Sequence, residues 1–291
     1  MSESARRTSR LLRRFVKPRL PALIRAAKLF QPVTQLLIKG RPAPFAPHLP
    51  ADWTPASGDA VATLFFLHGG GYLVGAPRQF RYAARPFAAA GFDVYMPSYR
   101  LAPEHVFPAA LDDAVVAYRA LLQAARGPVA LAGDSAGGGL AVSLMLRLRA
   151  EGLPLPVAAT LFSPWTDLAA TGASMRANEA RDALFTRKTI LIGGRAMLGA
   201  ASARDPLASP LHGDLAGLPP LLVHVGADEA LRDDSTRLVD RACAAGVAAR
   251  LELWPDVPHG WQLMPFIPEA MESRLKAIAF LRQQLGALHS S

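Results

Sequence analysis

The chain has very little cysteine. Among its 291 residues only Cys243 carries a thiol, so an internal disulfide is excluded, as is a cysteine pair that could bind a metal. A lone cysteine in a helical pattern reads as a small buried apolar residue. Long apolar runs are missing too: none reaches the roughly 18 uninterrupted residues of a membrane span. Lys17, Pro18, Arg19 and Pro21 interrupt the stretch after the early arginines, where a secretory signal would need a clean apolar region. Cytoplasmic residence is therefore the expectation. There is no G-x-G-x-x-G and no Gly-Lys dipeptide, which removes the mechanisms of dinucleotide and Walker-type phosphate binding. No H-x-x-x-H or cysteine pair offers metal ligands, so neither a metal nor another cofactor is expected.

Acidic residues are scarce in one region. Residues 1–41 hold eleven lysines and arginines against Glu3 alone and carry a charge of +10, leaving the other 250 residues at −1 of the whole-chain +9. The basic character belongs to an N-terminal appendage, and a nucleic-acid partner is not expected. Arg13, Arg14 and Lys17 beside Leu11, Leu12, Phe15 and Val16 fit two roles, contact with an anionic membrane surface or a cap helix with a solvated basic face. The cap helix is the preferred reading. With 51% apolar residues the chain has ample material for a core, and its 23 Gly and 25 Pro are dispersed rather than repeated.

From residue 61 onward, strand-length apolar runs recur at 62–67, 92–96, 129–132, 157–162, 221–225 and 249–254, with amphipathic segments at 109–125, 137–150 and 235–245 between them. This alternation predicts an α/β fold with a mostly parallel sheet covered by helices on both faces. Two segments break the rhythm: residues 1–45, basic and helical in pattern, and residues 169–205, which contain no strand. Both are expected to form a helical cap over a catalytic domain spanning 46–291. Residues 269–288 predict a closing helix after Pro268.

The chemistry lies in Gly133-Asp134-Ser135-Ala136-Gly137, directly after an apolar strand. A strand that turns at once into a helix presents its serine in a strained conformation at the carboxyl edge of the sheet, the nucleophile-elbow pattern. Upstream, another predicted strand runs into His68-Gly69-Gly70-Gly71, a glycine run able to supply backbone N–H groups to an oxyanion. A serine needs a base and an acid to orient it, in the order Ser, Asp or Glu, His. Of seven histidines, His48, His68 and His105 precede the serine, His212 precedes any acid at a strand end, His224 lies inside a strand and His289 in the tail, which leaves His259. Asp228 stands nearest the end of strand 221–225 and is the predicted acid, with Glu229 its competitor. Asp233 and Asp234 suit the first turn of a helix.

With Tyr99-Arg100-Leu101-Ala102-Pro103-Glu104-His105, Ser163-Pro164-Trp165-Thr166-Asp167 and Pro258-His259 added to these motifs, the chain resembles the bacterial hormone-sensitive-lipase-like esterases of the α/β-hydrolase superfamily, in the GDSAG branch of family IV. The resemblance implies an eight-stranded sheet, Ser135 as nucleophile, Asp228 as acid and His259 as base. It also implies an oxyanion hole of Gly70, Gly71 and Ala136, and hydrolysis of short to medium acyl esters without a cofactor. Some relatives in the branch open lactones. Plant gibberellin receptors resemble the family but lack the histidine, which is present here. The segment 99–105 is read as scaffold. Bulky residues expected to shape the substrate pocket are Tyr72, Trp165, Phe185, Met197 and Leu198. The expected partner is a small-molecule ester, and a homodimer is compatible with the sequence.

Overall fold

The computed structural model describes residues 2–26, 40–124 and 127–288. The remainder of the basic segment at 27–39, the end of the predicted 109–125 helix and His289 lie outside the described residues. A seven-stranded sheet has the order β1-β3-β2-β4-β5-β6-β7, formed by Ala51–Thr54, Ala62–Leu67, Phe92–Pro97, Val129–Asp134, Ala159–Phe162, Leu221–Gly226 and Ala249–Trp254 numbered β1 to β7 in chain order. Only β1 is antiparallel to its neighbour, with Ala51 opposite Pro97 of β3. Seven strands are found among the described residues where the resemblance implied eight.

Strand β2 shows why its run reads as continuously apolar. Phe65 and Leu67 join one buried cluster with the helices Ala109–Gln123 and Ala136–Ala150. Leu64 and Phe66 join a second cluster with Arg81–Ala89 and Pro268–Leu288. Successive side chains point to opposite faces, and both faces are covered. We number the helices α1 (Glu3–Leu11), α2 (Arg81–Ala89), α3 (Ala109–Gln123), α4 (Ala136–Ala150), α5 (Ser174–Ala177), α6 (Arg187–Leu198), α7 (Arg232–Ala244) and α8 (Pro268–Leu288). After α1 the chain stays helical to residue 26, giving an N-terminal strap. Segment 169–205 contains α5 and α6 and no strand. Cys243 lies in α7 as its pattern suggests, but it is exposed. Its helix turns Leu238 and Ala242 inward instead.

At the centre of the sheet, β4 passes into α4 through Ser135, whose backbone has φ 53° and ψ −122°. A non-glycine residue in this region is strained by about 1–3 kcal/mol and persists only where its surroundings enforce it. Here Ser135 N–H donates to Phe162 O at 2.8 Å, and Ser135 O accepts from Trp165 N at 2.9 Å. The start of α4 presses against the end of β2, so that a Cβ on Gly137 would stand 2.1 Å from Leu67 O and 2.3 Å from His68 O. Gly137→Ala is therefore expected to lower both the melting temperature and ester turnover, by displacing α4 and the serine it follows. An unchanged melting temperature and rate would contradict this packing.

Candidate active site

Ser135 Oγ lies 2.8 Å from His259 Nε2, and His259 Nδ1 lies 2.6 Å from Glu229 Oε2. A carboxylate only accepts, so Nδ1 carries the proton and Nε2 is left to accept from the serine hydroxyl. The structure thus brings together Ser135 and His259 but places Glu229, not Asp228, against the imidazole. Strand β6 ends at Gly226, and Glu229 N–H turns back to Gly226 O at 3.1 Å. In that tight turn Asp228 sits on the outer side, where Arg181 Nε approaches its carboxylate at 3.3 Å. Glu229 faces inward, and its longer side chain spans the gap to the histidine loop. Nearness to the strand end, the basis for expecting Asp228, does not carry through a turn that reverses the direction of successive side chains.

Glu229 is 2% exposed. Its second oxygen accepts from Ser163 Oγ and Gly226 N–H, each at 2.7 Å. Ser163 follows β5 with φ 45°, which explains the first residue of the Ser163 to Asp167 motif. Two residues that sequence reasoning missed hold the same loop from the 169–205 segment. Asn178 Nδ2 donates to Ala227 O at 3.0 Å and Glu229 O at 2.9 Å. The buried Asp182 carboxylate accepts from Ala230, Leu184 and Phe185 N–H, each at 2.6 Å. Carboxamide and carboxylate side chains following a strandless turn were the available signal, but nothing in the sequence said which loop they would meet.

Burial opposes a charged imidazole, yet the Glu229 carboxylate and its hydrogen bond, with Asp182 and Asp134 further off, outweigh it and hold His259 above the ordinary histidine range. Burial pushes Asp134 up to about 7, against the hydrogen bond it accepts from Gly69 N–H at 2.8 Å. Burial also lowers His68 to about 4. His68 stacks on Tyr99 at 4.4 Å between ring centroids, and Tyr99 Oη donates to His68 O at 2.5 Å. The segment around Tyr99 thus props the glycine loop, and Arg100 is engaged by Asp113.

Gly70 has φ 117°, and a Cβ there would meet Val74 O at 1.9 Å, so only glycine fits. The N–H groups of Gly70, Gly71 and Ala136 find no acceptor among the described residues. Gly70 and Gly71 line the same cavity as Ser135.

That cavity measures about 500 Å³ and is walled chiefly by apolar side chains, including Leu73, Val74, Trp165, Phe185 and Ile190. The Phe185 ring meets His259 edge-on at 4.8 Å. Leu20, Leu23 and Ile24 of the strap complete the wall. Of the five expected pocket residues, Trp165 and Phe185 line it, whereas Tyr72, Met197 and Leu198 do not. Tyr72 has φ 61°, which turns it away from the serine into a separate small void shared with Leu140 and Met197. In α6 it is Thr189, Ile190 and Gly193 that face the cavity. Met197 and Leu198, in the last turn, pack into the main core. Among the described residues no cluster of His, Cys, Asp and Glu is arranged to hold a metal ion.

Residues 64–263 match the family model described as the alpha/beta hydrolase fold. An acetyl-hydrolase of Streptomyces hygroscopicus is 44% identical over 243 residues, 82% of this chain and 81% of that protein. An esterase of Acinetobacter venetianus is 35% identical over 223 residues, 75% of this chain and 74% of that protein. Among solved structures, an esterase from the bacterial hormone-sensitive lipase family has a TM-score of 0.79 at 45% identity, over 81% of this chain and 82% of that one. EstE5, soaked by p-nitrophenyl butyrate, has a TM-score of 0.86 at 33% identity, over 98% of this chain and 100% of that one.

The geometry distinguishes the two acids. Glu229→Gln is expected to lower ester turnover by about 10³–10⁴-fold, because the amide no longer fixes the Nδ1–H tautomer, whereas Asp228→Asn changes it little. Only neutral imidazole accepts the serine proton, so kcat/KM in the parent rises with pH. Because the imidazolium form is favoured, the midpoint lies above the ordinary value of about 6.5. In Glu229→Gln burial is opposed only by the more distant Asp182 and Asp134, and the midpoint moves down. Rate profiles of the two variants check both statements, and exchanged results would return the role to Asp228.

Proposed function

Because the chain belongs to the α/β-hydrolase family and, within it, to the bacterial hormone-sensitive-lipase esterases, we propose that this carboxylesterase works through Ser135, His259 and Glu229 by way of an acyl-enzyme. The observation that carries the reading is the continuous hydrogen-bonded line from Ser135 Oγ through the imidazole to Glu229. Ser135 Oγ attacks the ester carbonyl carbon while His259 Nε2 takes the hydroxyl proton. The carbonyl oxygen becomes an oxyanion facing the unengaged N–H groups of Gly70, Gly71 and Ala136, a type of donor worth about 3 kcal/mol each. Collapse breaks the bond to the alcohol oxygen, and His259 returns the proton to that leaving group. Water activated by the same imidazole then frees the acid and regenerates Ser135.

The wall composition supports short to medium acyl groups as substrates. An apolar cavity of this size gains about 0.8 kcal/mol, or about fourfold in kcat/KM, for each methylene it buries until it is full. The strap (2–26) and the 169–205 segment act together as the cap. Both line the cavity, and Lys17 Nζ of the strap donates to Asp182 O at 2.9 Å and to Glu179 O.

With a series of p-nitrophenyl esters, kcat/KM is expected to peak between about C4 and C8 acyl chains and to fall for longer ones. An organophosphate should leave its mass on the Ser135 peptide alone. A rising rate through long acyl chains would contradict a cavity of this limited size, and a label elsewhere would remove Ser135 from the nucleophile role.

A further inference from the structure

The strap has two faces of different chemistry. Its inner face is tied to the body: Ser2 Oγ donates to Glu269 at 2.7 Å and Ser9 Oγ to Asp256 O at 3.3 Å, and Lys17 holds the carbonyls described above. Ala5 and Ser9 are buried there. The other face leaves large apolar side chains in solvent, with Leu11 49% exposed, Phe15 50% and Leu23 53%. Around them Arg7, Arg10, Arg14, Arg19 and Arg25 are also exposed, and the Arg14 guanidinium lies 5.2 Å from the centre of the Phe15 ring. Over residues 2–26 eight basic side chains stand against Glu3 alone, which is engaged by Arg6 and Arg10.

We propose that this outward face docks on an anionic lipid surface, setting Leu11, Phe15 and Leu23 among the acyl chains and the arginines at the headgroups. Helical segments with exposed aromatic and aliphatic residues between arginines bind the membrane interface by these two contributions together. A second copy of the chain fits poorly, because two such straps would repel. Nucleic acid would use the arginines but leave Leu11 and Leu23 without partners. Leu23 also belongs to the wall of the serine's cavity, beside Leu20 and Ile24. Leu23 thus links the exposed apolar residues of the strap to the cavity wall, and docking sets that edge of the cavity against the surface. An ester dissolved in the lipid then reaches Ser135 along Leu23 without crossing water. That consequence rests on the esterase site proposed above, whereas the docking itself does not.

Co-sedimentation of the full chain with vesicles tests the docking without turnover, so its failure is separable from a failure of the catalytic assignment. The chain is expected to bind phosphatidylglycerol vesicles at low salt at least about tenfold more tightly than phosphatidylcholine vesicles. Binding weakens in about 1 M salt, where the Debye length is about 3 Å. Leu11→Ser with Phe15→Ser should weaken binding about tenfold while leaving hydrolysis of a short soluble ester unchanged, since neither residue lines the cavity. Arg7→Gln with Arg14→Gln should reduce the preference for anionic lipid. Equal binding to both vesicles would overturn the proposal. So would undiminished binding of both double variants, pelleting without lipid through self-association, or binding to duplex DNA but to neither vesicle.

Discussion

A buried carboxylate is tolerated only when its oxygens are satisfied, and in this fold that requirement falls on Glu229. An isolated charge in such a place is unfavourable by several kcal/mol. Here three donors from separate parts of the chain converge on it: the His259 imidazole, the Ser163 hydroxyl after β5 and the Gly226 N–H at the end of β6. Each donor fixes a different loop at the carboxyl edge of the sheet. Removing any one exposes the others to an unsatisfied charge, which makes the edge cooperative rather than a set of independent loops.

The same edge is held from above. Asn178 and Asp182 come from the segment that interrupts the strand rhythm, yet they bind the backbone on both sides of Glu229. Asp182 also fixes the N–H groups of Leu184 and Phe185, so the wall of the cavity beside Ser135 and the orientation of the His259 imidazole share an anchor. Lys17 adds the strap to this knot. Pocket shape and imidazole position are therefore coupled by a few hydrogen bonds.

Five of the six strands visible as apolar runs, β2 to β6, are legible because each is buried along its length; the sixth, β7, is a partly exposed edge strand. The Ser135 elbow and glycine loop are legible because their backbone geometry admits few residue types. Strand β1, only Ala51–Thr54, has no such run and carries Asp52, whose charge is met by Arg81. Helix α2 was hidden by Pro86 within it. The choice between Asp228 and Glu229 is hidden for a different reason. Asp228 and Glu229 are adjacent, chemically equivalent candidates, and the direction in which each points is set by a turn and by Ser163, 66 residues away from Glu229. Size and sequence position alone put Tyr72, Met197 and Leu198 among the expected pocket residues. A positive φ at Tyr72 and the rotation of α6 decide otherwise.

Glu229, through His259 Nδ1, holds the imidazole so that Nε2 faces Ser135. Proton NMR observes that hydrogen bond directly, since the Nδ1 proton shared with a buried carboxylate resonates far downfield of other protons. Such a resonance is expected in the parent and in Asp228→Asn, and is expected to be lost in folded Glu229→Gln. A resonance that survives in Glu229→Gln and disappears in Asp228→Asn would contradict this role of Glu229.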